Sequence, residues 1–187
     1  SYADAMAHFE AVVGDVGPAS SPERRHAFLT EGADMVSFLQ DRGVRFVYCP
    51  GYSDYYSDAP GGHDIGRGIE PVPYDGHALG SWLDKPQPGL AKSVGLAVKT
   101  NDSRDLGHYN RSVGAFTVAA RVVLRTALAR VRGQDLLTNG ASLIAQLLQA
   151  VKGTGVALPL AVHVLQGVLD GHGVYVAHQL ADQLQVP

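Results

Sequence analysis

Apolar residues recur at helical spacing in the first part of the chain, and this pattern predicts two helices. The first covers residues 2–13, where one stripe contains Ala5, Met6, Phe9, Val12 and Val13. The second begins at Ser21, a good capping residue that Pro22 follows, and runs to about Asp41, with Gly43 closing it. We expect this helix to bury its apolar side chains, namely Phe28, Leu29, Met35, Val36, Phe38 and Leu39.

Two further helices are predicted in the second half of the chain. The clearer one spans residues 113–131 and ends at Gly133. Its broad apolar face, which we expect to lie against the core, contains Val113, Phe116, Ala120, Val123, Leu124, Ala127, Leu128 and Val131. The other helix follows a turn at residues 138–140 and runs from about Ala141 to Val151, with Leu143, Ile144, Leu147 and Leu148 buried.

Strand signals are few and short. Residues 44–48 alternate as a strand does, and residues 156–160 form a second short candidate. A helix-like segment runs from Tyr74 past Trp82, whereas residues 89–110 follow no clear pattern. The pattern as a whole predicts an α+β fold that is predominantly helical, with a few short strands and one long loop.

Composition narrows the class of protein. The 187 residues, 45% hydrophobic and 18% charged, suffice for one ordinary globular domain. A formal net charge of -3 gives no basic excess for nucleic-acid binding. The single cysteine, Cys49, rules out a disulfide within the chain, and we therefore expect a reducing, cytoplasmic location. No apolar run is long enough for a membrane span, and no signal peptide is evident at the start.

Regular patterning stops between Pro50 and about Pro73. This stretch combines glycines with tyrosines at positions 52, 55 and 56, and aromatic residues are rare in disordered segments. A phenol held in a dry cleft donates a hydrogen bond, or acts as a base if its pKa is lowered. The alternative is that the tyrosines only pack as wedges and the glycines only make turns. Arg67 and Glu70 are predicted to pair and hold the loop.

Other chemical motifs are missing from the sequence. The eight histidines show no metal-binding spacing, so no metal site is predicted. The chain has neither a G-x-G-x-x-G nor a phosphate-loop motif, and no G-x-S-x-G motif marks a nucleophile. Cys49 has no base partner and is expected to be a strand residue.

The loop and its flanks together resemble a known family. The segments that carry the likeness are Pro50–Tyr56, Pro60–Gly62 and Gly66–Pro71, with Val13–Asp15, Ser21–Arg25, Ala27–Leu29 and Met35–Leu39 before them and Leu136–Ile144, Leu147–Leu148, Ala150 and Gly155–Val156 after them. They resemble the 3-ketosteroid Δ1-dehydrogenases, FAD-dependent oxidoreductases related to the flavoproteins of fumarate reductase and succinate dehydrogenase. The resemblance covers roughly residues 3–160.

The resemblance implies an incomplete flavoprotein domain. The family binds the ADP part of FAD with a strand–turn–helix that would precede Ser1. We therefore interpret residues 1–160 as an internal segment of an FAD-dependent oxidoreductase domain, and residues 161–187 as a tail without family resemblance. On this interpretation the chain alone is inactive, and none of its residues is assigned to the cofactor.

The resemblance also implies roles for the tyrosines. Tyr55 matches an active-site tyrosine and would assist another tyrosine, outside this chain, that takes a proton from the steroid ring while hydride passes to the flavin. Tyr52 and Tyr56 would line the substrate pocket. The implied substrate is a steroid-like or other flat apolar ketone.

Two alternatives stay open at this point. The chain is either such a piece or a helical binding module, including a subunit that completes a site with a partner chain. Exposed apolar faces on the helices at 113–131 and 141–151 would favour the partner version. A flavoprotein piece of the fumarate reductase type is the other alternative, and it would need cationic residues for a dicarboxylate.

Overall fold

The computed structural model describes residues 1–83 and 95–155. The candidate strand at 156–160 and the tail at 161–187 lie outside this range, so both stay predictions. The chain divides into two compact units, Ser1–Gln146 and Leu147–Pro187. The first unit contains the Tyr/Gly-rich loop, residues 49–68.

The described α-helices are α1 (Tyr2–Val12), α2 (Pro22–Asp41), α3 (Thr100–Leu106), α4 (Val113–Val131) and α5 (Asn139–Gly153). All but α3 were predicted, with small changes at their ends. Ser21 caps α2 as predicted, since its side chain accepts from the amide of Arg24. The helix α3 lies where the sequence shows no clear pattern, and the segment Gly76–Trp82 is a 3₁₀ helix with a kink at Gly80.

The described strands form two antiparallel pairs. β1 (Phe46–Tyr48) pairs with β2 (Ile69–Pro71), and β3 (Tyr74–Asp75) pairs with β4 (Leu136–Leu137). The class, α+β with many helices and a few short strands, is therefore confirmed. The prediction that order stops throughout 50–73 is wrong at its end, because β2 returns beside β1. The Tyr/Gly-rich loop is consequently the connection of a long hairpin.

The face of α4 predicted to be buried is largely exposed. Its inward line consists of Ala115, Val122, Thr126 and Ala129, whereas Val113, Phe116, Val123, Leu124, Leu128 and Val131 are exposed. The helix is apolar on most of its circumference, so periodicity does not distinguish the two sides. The small inward residues allow close packing, and Thr126 accepts a hydrogen bond from the amide of Ala97 at 3.0 Å.

The predicted burial along α2 is also wrong. None of its residues is buried, and Phe28, Met35 and Phe38 are 69%, 57% and 51% exposed. α1 covers only one side of the helix, where Phe9 meets Phe28 edge-to-face at 5.6 Å between ring centroids. Leu29, Val36 and Leu39 are half-buried, so the stripe is only partly covered within the described residues.

Glu70 anchors the hairpin to the rest of the unit. Glu70 is only 3% exposed, and it lies opposite Val47 in the β1–β2 register. One carboxylate oxygen accepts from the Thr100 amide at 2.6 Å, at the start of α3, and the other lies 3.9 Å from Lys99 Nζ. The predicted Arg67–Glu70 pair is therefore wrong, because Glu70 points inward to α3 while Arg67 is on the loop surface.

α5 supports the same hairpin from another side. The Ser142 hydroxyl donates to the Val72 carbonyl at 2.6 Å, and the Gln146 amide oxygen accepts from the Arg45 amide at 2.7 Å. Both side chains are buried. Polar side chains thus satisfy backbone groups that the short strands leave unpaired.

We expect Glu70→Gln to lower the free energy of unfolding by about 1.5–3 kcal/mol, the usual range for a hydrogen bond to a charged group. The amide keeps the size of the side chain but removes the charge beside the Thr100 amide and Lys99. Urea denaturation measures the effect, with Glu31→Gln on the exposed face of α2 as the matched control. Equal midpoints for both variants and the wild type would show that the charge contributes nothing.

Candidate functional site

The Tyr/Gly-rich loop is closed by its own hydrogen bonds. The Cys49 amide donates to the Gly68 carbonyl at 3.0 Å, and the Tyr48 hydroxyl donates to the Gly66 carbonyl at 2.7 Å. A side chain at Gly66 would overlap the Tyr52 carbonyl, so the two arms touch backbone to backbone. The loop is therefore a compact unit of the kind that holds side chains in place.

An ion pair links the two arms further out. Arg67 donates to the Asp54 carboxylate at 2.5 Å and to the Gly61 carbonyl at 3.2 Å. Burial raises the pKa of Asp54, but the hydrogen bonds from Arg67 and from the His63 amide outweigh burial, so the pKa lies below its usual value. The sequence predicted Glu70 as the partner of Arg67, but the partner in the structure is Asp54.

The helix α1 docks directly on this loop. Gly61 has φ +70°, and a Cβ there would collide with the Asp4 carbonyl and with the backbone nitrogen of His8. Only glycine combines that backbone conformation with so close an approach. The loop and α1 thus form the two walls of one cleft.

Tyr52 and Tyr55 form a hydrogen-bonded pair in this cleft. The Tyr52 hydroxyl donates to the Tyr55 oxygen at 2.8 Å, and the rings meet at 86° with centroids 6.0 Å apart. The hydrogen bond to Tyr55 and partial burial raise the pKa of Tyr52. Tyr52 is therefore a poor base. Tyr55, 87% exposed, accepts from Tyr52 and keeps its own proton for a third group.

All three tyrosines singled out from the sequence line one cavity of about 380 Å³, together with His8, Val12 and Asp54. Their roles stay a prediction. Sequence reasoning missed the contribution of α1, although the stripe that contains Val12 was recognised as a helix face. Periodicity shows that such a face is apolar, but it does not show what the face meets.

A second cavity of about 300 Å³ adjoins the first. His8 and Val12 line both, and the other residues that line the second are Ala5, Phe9, Val13, Phe28, Leu29 and Arg67. The two cavities together give a cleft with a tyrosine-lined part and an apolar part.

Cys49 is inert in this arrangement. It follows β1 directly and is 2% exposed. Burial raises the pKa of its thiol, and the charge and hydrogen bond of Glu70 raise it further. Among the described residues no cluster of three or more His, Cys, Asp or Glu side chains could hold a metal ion. Within that same part of the chain, no helix has the length and apolar character that a membrane crossing requires.

Comparison with known proteins gives one consistent answer. The chain is 33% identical over 159 residues to the 3-oxosteroid 1-dehydrogenase of Mycolicibacterium smegmatis (strain ATCC 700084 / mc(2)155), which covers 84% of this chain and 27% of that protein. It is 33% identical over 173 residues to the 3-oxosteroid 1-dehydrogenase of Mycobacterium tuberculosis, in strains ATCC 25618 / H37Rv and CDC 1551 / Oshkosh, covering 89% of this chain and 31% of those proteins. No protein-family model matches, and no solved structure matches significantly.

These matches confirm the resemblance that the loop and its flanks had predicted. The chain is similar to 3-oxosteroid 1-dehydrogenases over 84% to 89% of its length. The chain spans between 27% and 31% of the length of the relatives it matches.

We expect Tyr52 to ionise at a higher pH than a free phenol, whose pKa is about 10. Because the folded-state pKa is raised, the pair stabilises the fold below pH about 10 and loses that contribution as pH rises through the pKa of Tyr52. Carbon-13 NMR of labelled tyrosine measures the titration, and Tyr52→Phe assigns the resonance. In Tyr55→Phe the Tyr52 resonance should titrate earlier. An unchanged midpoint would argue against the pair.

Proposed function

We propose that the chain is the substrate-side segment of a flavin-dependent 3-oxosteroid 1-dehydrogenase. The observation that carries the proposal is the hydrogen-bonded pair of Tyr52 and Tyr55 on the wall of a cleft whose other end is largely apolar. The family relationship supports it. The substrate would be a 3-oxosteroid or a similarly flat apolar ketone.

In this proposal Tyr55 donates a hydrogen bond to the oxygen of another tyrosine, outside this chain, that acts as the base. That base starts as a tyrosinate and becomes neutral when it takes a proton from a ring carbon beside the ketone. The adjacent carbon would lose hydride to the flavin, so that a carbon–carbon double bond forms between the two. A hydroxyl that accepts one hydrogen bond becomes a better donor of the next, so Tyr52 strengthens Tyr55 as a donor.

The residues of this chain do not by themselves fit the ADP half of FAD. The sequence lacks G-x-G-x-x-G, and both sheets of the described residues are antiparallel pairs, unlike the parallel sheet of a dinucleotide-binding fold. The proposed part of this chain is therefore confined to binding the ketone and donating the hydrogen bond.

The test replaces the matching segment of the Mycolicibacterium smegmatis enzyme with this chain and follows desaturation of a 3-oxosteroid with an electron-accepting dye. We expect Tyr55→Phe to lower kcat about 10²-fold, the low end for a group acting in proton transfer. KM should change less than about 3-fold, because a donor that acts in the transition state contributes little to ground-state binding.

Tyr109→Phe is the matched control, since Tyr109 is exposed and does not line the cleft. Its kcat should equal that of the unmutated chimera. An inactive chimera with normal flavin absorbance, or a Tyr55→Phe variant with undiminished kcat, would refute the proposed function.

The exposed face of α4 favours a second candidate function, in which the chain completes a site with a partner polypeptide. Phe116, Leu124 and Leu128 are 62%, 58% and 42% exposed, and Val113 and Val131 at the ends of the helix are exposed further. Contiguous apolar patches on a protein surface mark interaction sites. An exposed apolar face on α4 is what the sequence analysis expected of a chain that completes a site with a partner.

We expect the isolated chain to associate at micromolar concentration, and Leu124→Ser with Phe116→Ser to reduce this association. Sedimentation velocity measures the effect, and circular dichroism checks that the helices remain. A wild-type chain that is a well-folded monomer would argue against the partner function.

A further inference from the structure

We propose that α1 is the apolar wall of the ligand site and that Val12 sets which ring systems fit it. This inference rests on the proposed function and extends it to residues outside the Tyr/Gly-rich loop. The proposed ligand is a rigid polycyclic ketone that lies along α1 with its oxygen toward the Tyr52–Tyr55 pair.

The first support is the continuity of the cleft. Val12 and His8 line both cavities, so a ligand longer than either one must pass these two side chains. Cavities of about 380 and 300 Å³ each lie at the lower end of the range for small-molecule sites, about 300–1,000 Å³. A single elongated molecule that occupies both uses the space better than a compact one.

The second support is the division of chemistry along the cleft. Hydroxyl groups are concentrated at the loop end, where Tyr52, Ser53, Tyr55 and Tyr56 line the first cavity. The α1 end is enclosed mainly by Phe9, Val12, Val13, Phe28 and Leu29. A ligand that matches this pattern has an apolar body and an oxygen at one end.

Charge separates this ligand class from a dicarboxylate. Arg67 is the one arginine or lysine among the described residues that line the two cavities. It is already paired with Asp54 at 2.5 Å. An anionic ligand would have to compete with Asp54 for Arg67, so the cleft favours a neutral ketone.

Val12 is the residue whose substitution tests the wall most directly. Phe9 packs on Phe28, so changing it removes a ring contact between α1 and α2. His8 has a buried ring nitrogen, so changing it alters a polar group inside the fold. Val12 is 38% exposed and lies at the last position of α1. Its side chain belongs to both cavities and takes part in no described ring contact.

Equilibrium dialysis of the 187-residue chain against tritiated testosterone tests the inference. We expect Val12→Asp to weaken binding at least about 10-fold, because the ligand would bury a carboxylate. Val12→Trp should weaken it similarly by filling the cleft. Val16→Asp is the matched control, since Val16 is 66% exposed and lines neither cavity, and should leave binding within about twofold.

Thermal denaturation identifies any variant that fails to fold. Val12→Asp adds a charge to the cleft and Val12→Trp fills it, so either variant alone tests the inference if it folds. Fumarate should not displace the steroid. Testosterone binding that survives both Val12 changes, equal weakening by Val16→Asp, displacement by fumarate, or no testosterone binding by the wild type would each overturn the inference. A normal effect of Tyr55→Phe on kcat alongside any of these would leave the proposed function standing and reject only the role of α1.

Discussion

The arrangement of the cleft depends on one buried carboxylate. Glu70 belongs to β2, the strand that closes the Tyr/Gly-rich loop. Its carboxylate accepts a hydrogen bond from the Thr100 amide at the start of α3. Gly51, at the other end of the loop, donates to Asn101 of the same helix at 3.2 Å. Both ends of this twenty-residue loop are therefore held by one short helix. These contacts offset part of the conformational entropy that is lost when the loop is ordered.

The direction of one hydrogen bond in the loop gives its two tyrosines different roles. The Tyr52 hydroxyl donates its proton to Tyr55, whereas the Tyr55 hydroxyl keeps its proton free to donate to a ligand or to another residue. Asp54 and Arg67 hold the arm from which both project. The glycines Gly61 and Gly66 permit α1 and the opposite arm to approach without intervening side chains. A donor presented in this way suits the stabilisation of charge on a ketone or on a second phenol.

Two helices of the described residues carry exposed apolar faces. The chain spans at most 31% of its relatives' length, and α2 and α4 carry apolar surface that the described residues do not cover. The inner line of α4 is made of small residues, so the helix packs closely on one side and presents its larger side chains on the other. Surface of this kind fits either a longer polypeptide or a separate partner.

The sequence by itself determined the class of fold, the main helices, the loop and the family resemblance, because these depend on local pattern and on a motif that is contiguous in the chain. It also singled out three tyrosines that line one cavity. It did not identify Asp54 as the partner of Arg67, the clamp between Glu70 and Thr100, or Val12 as a wall of the cleft. It predicted the wrong faces of α2 and α4 as buried. These features depend on which segments meet in space. Periodicity records that a face is apolar, whereas only tertiary packing decides what covers it and which charge lies within reach of another.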